Sequence, residues 1–201
     1  MNSFALFRLP YEKKCTLVVQ TEGDPKEFSS CHELTGQQGF VMAPFAPSAE
    51  HPILLIRADK VLENLESLDN LENLDHLDGL ETLTTTLPTD YHLDFANFHA
   101  HLCNGDFQKL VLSRSIVIPR TGEETPMQLF QRACDNYPRM MITLVYTPQS
   151  GLWLVSTPEI LLAGDGHQWQ TIALAGTMKY EDDLRWSDKN IQEQRFVATY
   201  L

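Results

Sequence analysis

In the first 59 residues, short apolar runs such as Cys15 to Val19 and Ile53 to Ile56 alternate with polar, turn-rich stretches, EGDPKEF and APFAPSAEHP. Proline at 25, 44, 47 and 52 interrupts any long helix, and Val18, Val19, Ile53 and Ile56 suit half-buried sheet. The pattern predicts strands joined by turns in this β-rich region. From Lys60 it changes to KVLENLESLDNLENLDHLDGLETL, with leucine at 62, 65, 68, 71, 74, 77, 80 and 83 and an acid after nearly every one. A period of three cannot hold one apolar stripe on an α-helix, because each step of three residues shifts the stripe by about 60°. This disfavours a long coiled coil. Residues 60–90 are read as a solvated insertion or linker of tripeptide repeats, or a short helix, with an acidic docking segment as the sharper alternative. Their acids also lack the glycine-centred spacing of calcium loops.

Regular patterns return over 91–201. YHLDFANFHAHLCN places Leu93, Phe95, Phe98, Leu102 and Cys103 close to helical spacing, with Gly105 as a stop. KLVLSRSIVI, 109–118, is apolar, β-branched and closed by Pro119, which predicts a strand. TPMQLFQRACDNYP predicts a helix capped by Thr125, with Pro126 in its first turn and Leu129, Phe130 and Ala133 facing inward. MMITLVYTP and GLWLVSTPEILLAG flank a turn at Gln149, Ser150 and Gly151, the pattern of an antiparallel hairpin. SDKNIQEQRFVATYL predicts a final helix with Ser187 or Asp188 as its cap and Ile191, Phe196, Val197 and Tyr200 on its apolar side. It reaches Leu201 without a glycine, proline or polar run to close it, so the chain reads as cut rather than finished.

Composition narrows the function classes. With 201 residues, 43% hydrophobic and 21% charged, the chain fits one globular domain or two small ones. No apolar run approaches the roughly 18 to 20 residues a transmembrane helix needs, and MNSFALFRLPYEKK lacks the core of a secretory signal. A cytosolic location with no membrane partner is expected. The net charge of −12 repels nucleic acid and argues against such a partner. Seven acids of the leucine tract (Glu63, Glu66, Asp69, Glu72, Asp75, Asp78 and Glu81) carry much of it, and without them the charge would be −5. Cys15, Cys31, Cys103 and Cys134 are scattered, with no CxxC pair; reduced, mostly buried thiols without chemistry are the reading.

Three segments stand out chemically: Lys109 opening an apolar run, Glu159 behind Pro158, and ALAGT at 173–177. Taken singly, a lysine at a strand mouth is usually solvated, Pro-Glu is usually a turn, and Ala-Gly-Thr usually marks close packing. By themselves they license only an α+β domain. In this order, however, QKLVLSR (108–114), YP (137–138), GLWLVSTPEILL (151–162), TIALAGT (171–177) and Trp186, Lys189, Glu193, Gln194 and Val197 of the last helix resemble the chorismate-utilising enzymes. That family includes isochorismate, salicylate, anthranilate and aminodeoxychorismate synthases. The motifs span about 105 residues.

The resemblance implies a layered antiparallel sheet with helices, a chorismate substrate, and residues 91–201 as the first part of the catalytic domain. Its subfamily signal is Ala173, Leu174, Ala175, Gly176 and Thr177, the isochorismate synthase pattern; Ala175 offers no amine that could attack the ring. By the same resemblance Lys109 is the base that activates water, Glu159 the acid that protonates the leaving hydroxyl, and Ala175, Gly176 and Thr177 line the substrate pocket. Glu193 is the candidate ligand for Mg2+, a hard cation suited to carboxylate oxygens. Burial would favour neutral Lys109 and protonated Glu159, as the two roles require. Val155, Ser156 and Thr157 depart from the family's Gly-Ala-Thr or Gly-Ala-Ser, and Gln194 stands where many relatives have histidine. The expected activity is isochorismate synthase, feeding menaquinone or siderophore synthesis, with these 201 residues an inactive amino-terminal portion. The alternatives are another chorismate-utilising enzyme, salicylate synthase first among them, or a non-catalytic binding module. The oligomeric state is left open.

Overall fold

The computed structural model describes residues 3–65, 90–118, 124–179 and 185–201. They form two compact units, one from 3–65 with 124–158, the other from 90–118 with the described residues beyond 158. The architecture is α+β, with antiparallel sheets and three helices among the described residues. None of these helices is long and apolar enough to cross a membrane.

The first unit is built around β1 (Ser3–Arg8), whose SFALFR sequence is apolar on both faces because both are covered. β1 pairs antiparallel with β2 (Cys15–Gln20) on one side and with β7 (Met141–Thr147) on the other. β6 (Lys60–Leu65) and β8 (Gly151–Thr157) complete a five-stranded sheet in the order β6-β2-β1-β7-β8. On one face Phe4, Leu6, Leu17, Ile142 and Leu144 pack with Phe130 of helix α2 (Pro126–Asn136). On the other, Ala5, Val18 and Val145 meet Ile56. Ile56 belongs to the middle strand of a three-stranded sheet, in which β5 (Ile53–Ile56) lies between β3 (Lys26–Phe28) and β4 (Phe40–Met42). The alternation along β1 thus sends Phe4 and Leu6 to the helix side and Ala5 to the second sheet.

Arg8, at the end of β1, is 3% exposed. Its Nη1 donates to the carbonyls of Leu9, Glu12 and Pro138, and its Nη2 to those of Tyr137 and Met140. These bonds tie the strand to the turn between α2 and β7. Helix α2 starts as its sequence predicts: Thr125 Oγ1 accepts from the Gln128 N–H, Gln128 Oε1 accepts from the Thr125 N–H, and Pro126 fills the first turn. Phe130 is fully buried, as expected, and the packed side also includes Met127, Ala133 and Cys134. Thr125→Ala removes one half of the capping box and should cost about 1 kcal/mol in a urea titration; an unchanged midpoint would show the cap to be redundant.

In the second unit, helix α1 (Tyr91–Cys103) begins at Asp90, whose carboxylate accepts from the His92 and Leu93 amides. It ends where Gly105 predicts a stop. Gly105 adopts φ +77°, its N–H donates to Leu102 and that of Asp106 to His101, closing the last carbonyls. The same unit also holds a two-stranded ribbon, β9 (Ala163–Gly164) with β10 (Trp169–Gln170), and helix α3 (Asp188–Tyr200), capped by Ser187 Oγ on the Asn190 amide.

Two expectations are corrected. Residues 109–118 are not a strand: they form no regular element and pair with no strand among the described residues, and Val111, Ile116, Val117 and Ile118 are exposed. Strand preference expresses itself through cross-strand partners, which this run lacks here. Conversely, Lys60–Leu65, read as the start of an insertion or linker, is strand β6, with Val61 opposite Val18 and Leu62 opposite Leu17. The remainder of the leucine tract lies outside the described residues.

Candidate functional site

The second unit brings Lys109 and Glu193 together. Lys109 lies in the irregular segment after α1, Glu193 on α3, and Lys109 Nζ donates to Glu193 Oε1 at 2.8 Å across 84 positions of sequence. Both side chains are about one third exposed, at 27% and 31%. They border a cavity of about 300 Å³ whose apolar wall is Leu102, Leu110 and Phe196, with Gln108, Lys189 and Gln192 as further polar groups. The hydrogen bond from Lys109 holds the Glu193 carboxyl below the ordinary glutamate range; burial opposes it, and the charges of Lys109 and Lys189 lower it further by smaller amounts. Two ammonium groups around one carboxylate leave the cavity locally positive in a chain of net charge −12, which suits an anionic ligand.

The next residue of α3 fixes the ALAGT segment. Gln194 Nε2 donates to the Ala173 carbonyl at 2.9 Å. Gly176 borders a second cavity of about 370 Å³ with Trp186, Asn190, Ile191, Gln194 and Arg195. A Cβ on Gly176 would come no closer than 3.4 Å to the Asn190 side chain, so its neighbours within the chain leave room for one. Ala175 is half-buried and Thr177 is exposed. Gln194, visible in the sequence only as a departure from histidine, thus acts as a clamp between helix and loop.

Glu159 stands exposed in the connection after β8. Its neighbour Ile160 accepts from the Thr171 hydroxyl and the Ile172 N–H, and Leu161 accepts from the same hydroxyl at 2.8 Å. The segments 159–161 and 171–177 are therefore tied together, and Gln194 ties the second of them to α3. The apolar burial expected at Glu159 is not what its surroundings provide, whereas Lys109 is partly enclosed.

Among the described residues, no three His, Cys, Asp or Glu side chains come together as a metal cluster. Glu193 is the carboxylate among the residues that line the cavity. That is compatible with magnesium, which takes one or two protein carboxylates and fills its octahedron with water and substrate oxygens.

No curated protein and no solved structure gives a significant match to the chain. The family model described as chorismate binding enzyme matches residues 43–201. The matched span begins before β5 and runs through β7, β8, the Lys109 segment, the ALAGT loop and α3, so it takes in all the residues brought together above. Covering well over half of the 201 residues, this match shows that the chain belongs to the chorismate binding enzymes, a family of chorismate-utilising enzymes.

Proposed function

We propose that the chain carries the acid–base residues of a magnesium-dependent isochorismate synthase, which adds water at ring carbon 2 of chorismate and expels the hydroxyl at carbon 4. The observation that supports this most is the Lys109–Glu193 pair at 2.8 Å beside a locally positive cavity. Chorismate is a dicarboxylate, and Lys109 and Lys189 give it a reason to enter.

The direction of the chemistry follows from which side chains are nucleophilic. Ala175 has no amine that could attack the ring, and in this reading the nucleophile is water, which needs a base. Lys109 fills that role once its nitrogen is released, deprotonated, from Glu193 and free to accept a proton from water. Glu159 donates a proton to the oxygen leaving carbon 4, and its exposed position calls for closure over bound substrate to keep bulk water from that oxygen. Gly176 and Thr177, in the loop whose Ala173 carbonyl Gln194 holds to α3, are the proposed substrate-lining residues. Glu193 is the residue that would hold magnesium, which supplies a positive anchor for the ring carboxylate.

Product analysis tests the reading. The protein expressed from its complete reading frame, given chorismate and magnesium, should form isochorismate without releasing pyruvate. Pyruvate with salicylate would assign a salicylate synthase, and an aminated product requiring ammonia would assign an anthranilate or aminodeoxychorismate synthase. Glu193→Gln should raise the magnesium concentration for half-maximal activity by about 10- to 100-fold; an unchanged requirement would remove Glu193 from the metal site.

A further inference from the structure

Helix α1 ends on the sequence HAHLC, in which His99 and Cys103 stand one turn apart and share a face. Both are exposed, so Cys103 departs from the buried, inert thiol expected of it. Its Sγ lies 3.6 Å from Nδ1 and 3.7 Å from Nε2 of His99. A zinc ion bonded at about 2.3 Å to sulfur and about 2.0 Å to nitrogen, with a tetrahedral angle between the two bonds, holds its ligand atoms about 3.5 Å apart. The pair therefore already has the spacing of two ligands on one such ion. Phe95, one turn earlier, stacks on the His99 ring with centroids 5.8 Å apart and planes 20° from parallel, which restricts the imidazole in advance.

The geometry points to a chelate for a zinc-class divalent cation on the last turn of α1, with His99 and Cys103 as its two protein ligands. The donor atoms select the ion. Thiolate and imidazole suit zinc, whereas magnesium takes hard oxygens. The chelate thus differs from Glu193 both in its residues and in the cation it takes. His101, the other histidine of this turn, is engaged elsewhere: its Nδ1 pairs with Asp106 Oδ2 at 2.9 Å. Among the described residues no third His, Cys, Asp or Glu joins the pair, so water completes the coordination and the ion remains exchangeable.

Binding involves no oxidation or reduction. The Cys103 S–H bond is replaced by a sulfur–metal bond and its proton passes to solvent, while His99 binds as neutral imidazole through a nitrogen lone pair. The bound ion clips together the two final turns of α1, just before the Gly105 stop.

Cys31 is the internal control: it is exposed too, and no imidazole contacts its sulfur among the described residues. The reduced, untagged protein is alkylated with iodoacetamide with and without saturating zinc, and the rate at each cysteine is read by mass spectrometry. Zinc should slow Cys103 by at least about tenfold, because alkylation needs a free thiolate, and leave Cys31 unchanged. Magnesium should protect neither. His99→Ala, a change on an exposed helix surface, should remove most of the protection, since loss of even an outer-shell partner weakens metal binding by about 10- to 100-fold. Cobalt(II) gives a second readout, a sulfur-to-cobalt charge-transfer band that should be lost in Cys103→Ser. Cys103 alkylated equally fast with and without zinc, equal protection of Cys31, full protection in His99→Ala, or an undiminished cobalt band in Cys103→Ser would each overturn the proposal.

Discussion

Lys109→Ala is expected to lower isochorismate formation by about 10²- to 10⁴-fold while leaving the fold intact. The loss is large because the proposed reaction needs a proton taken from water, and no other side chain is assigned to do it. The stability change is small for a separate reason. The Lys109–Glu193 pair is about one third exposed on each side, so solvent screens it and its removal costs at most about 1 kcal/mol. Lys109→Arg should not rescue activity: guanidinium can bond Glu193 but cannot give up its proton to become a base. The measurement is turnover under saturating chorismate, alongside a thermal melt. Wild-type turnover in Lys109→Ala would remove Lys109 from the base role, and an arginine variant with full activity would reduce it to a positioning charge.

Phe130→Ala should destabilise the first unit by about 3–5 kcal/mol, a large share of the 5–15 kcal/mol typical of a folded domain. Phe130 is 0% exposed and is the large side chain through which α2 closes the Phe4, Leu6, Ile142 and Leu144 face of the sheet. Its loss leaves a cavity between α2 and a sheet whose hydrogen-bonded strands can collapse into it only in part. The effect should exceed that of Thr125→Ala severalfold, since one removes core volume and the other a single cap. Urea denaturation checks it through a lower midpoint at constant slope. A loss below about 1 kcal/mol would mean that α2 is not a structural part of the sheet's cover.

Much of the local structure was legible from the residues. Thr125 and Ser187 announced the starts of α2 and α3, Gly105 the end of α1, and Ser150 with Gly151 the β7–β8 hairpin. Those signals are short-range: each depends on groups within a few positions. What stayed hidden was long-range. The 109–118 run has the composition of a strand, but composition cannot say whether a partner strand is present. Lys60–Leu65 was masked by the leucine–acid repeat to which it belongs, although its pairing with β2 makes ordinary use of Val61 and Leu62. The pairing of β1 with β7 crosses more than a hundred residues without any sequence marker. For the candidate site, family motifs supplied Lys109, Glu159, Glu193 and the ALAGT loop. The Lys109–Glu193 hydrogen bond and the clamp from Gln194 to Ala173 are geometric, and only the folded chain shows them.

The central claim is that water, activated by Lys109, adds to chorismate. Running the reaction in H2¹⁸O with magnesium and analysing the product by mass spectrometry tests it most directly. The account predicts isochorismate carrying one heavy oxygen, located at the carbon 2 hydroxyl. Isochorismate without label, or an aminated product in place of it, would contradict the account.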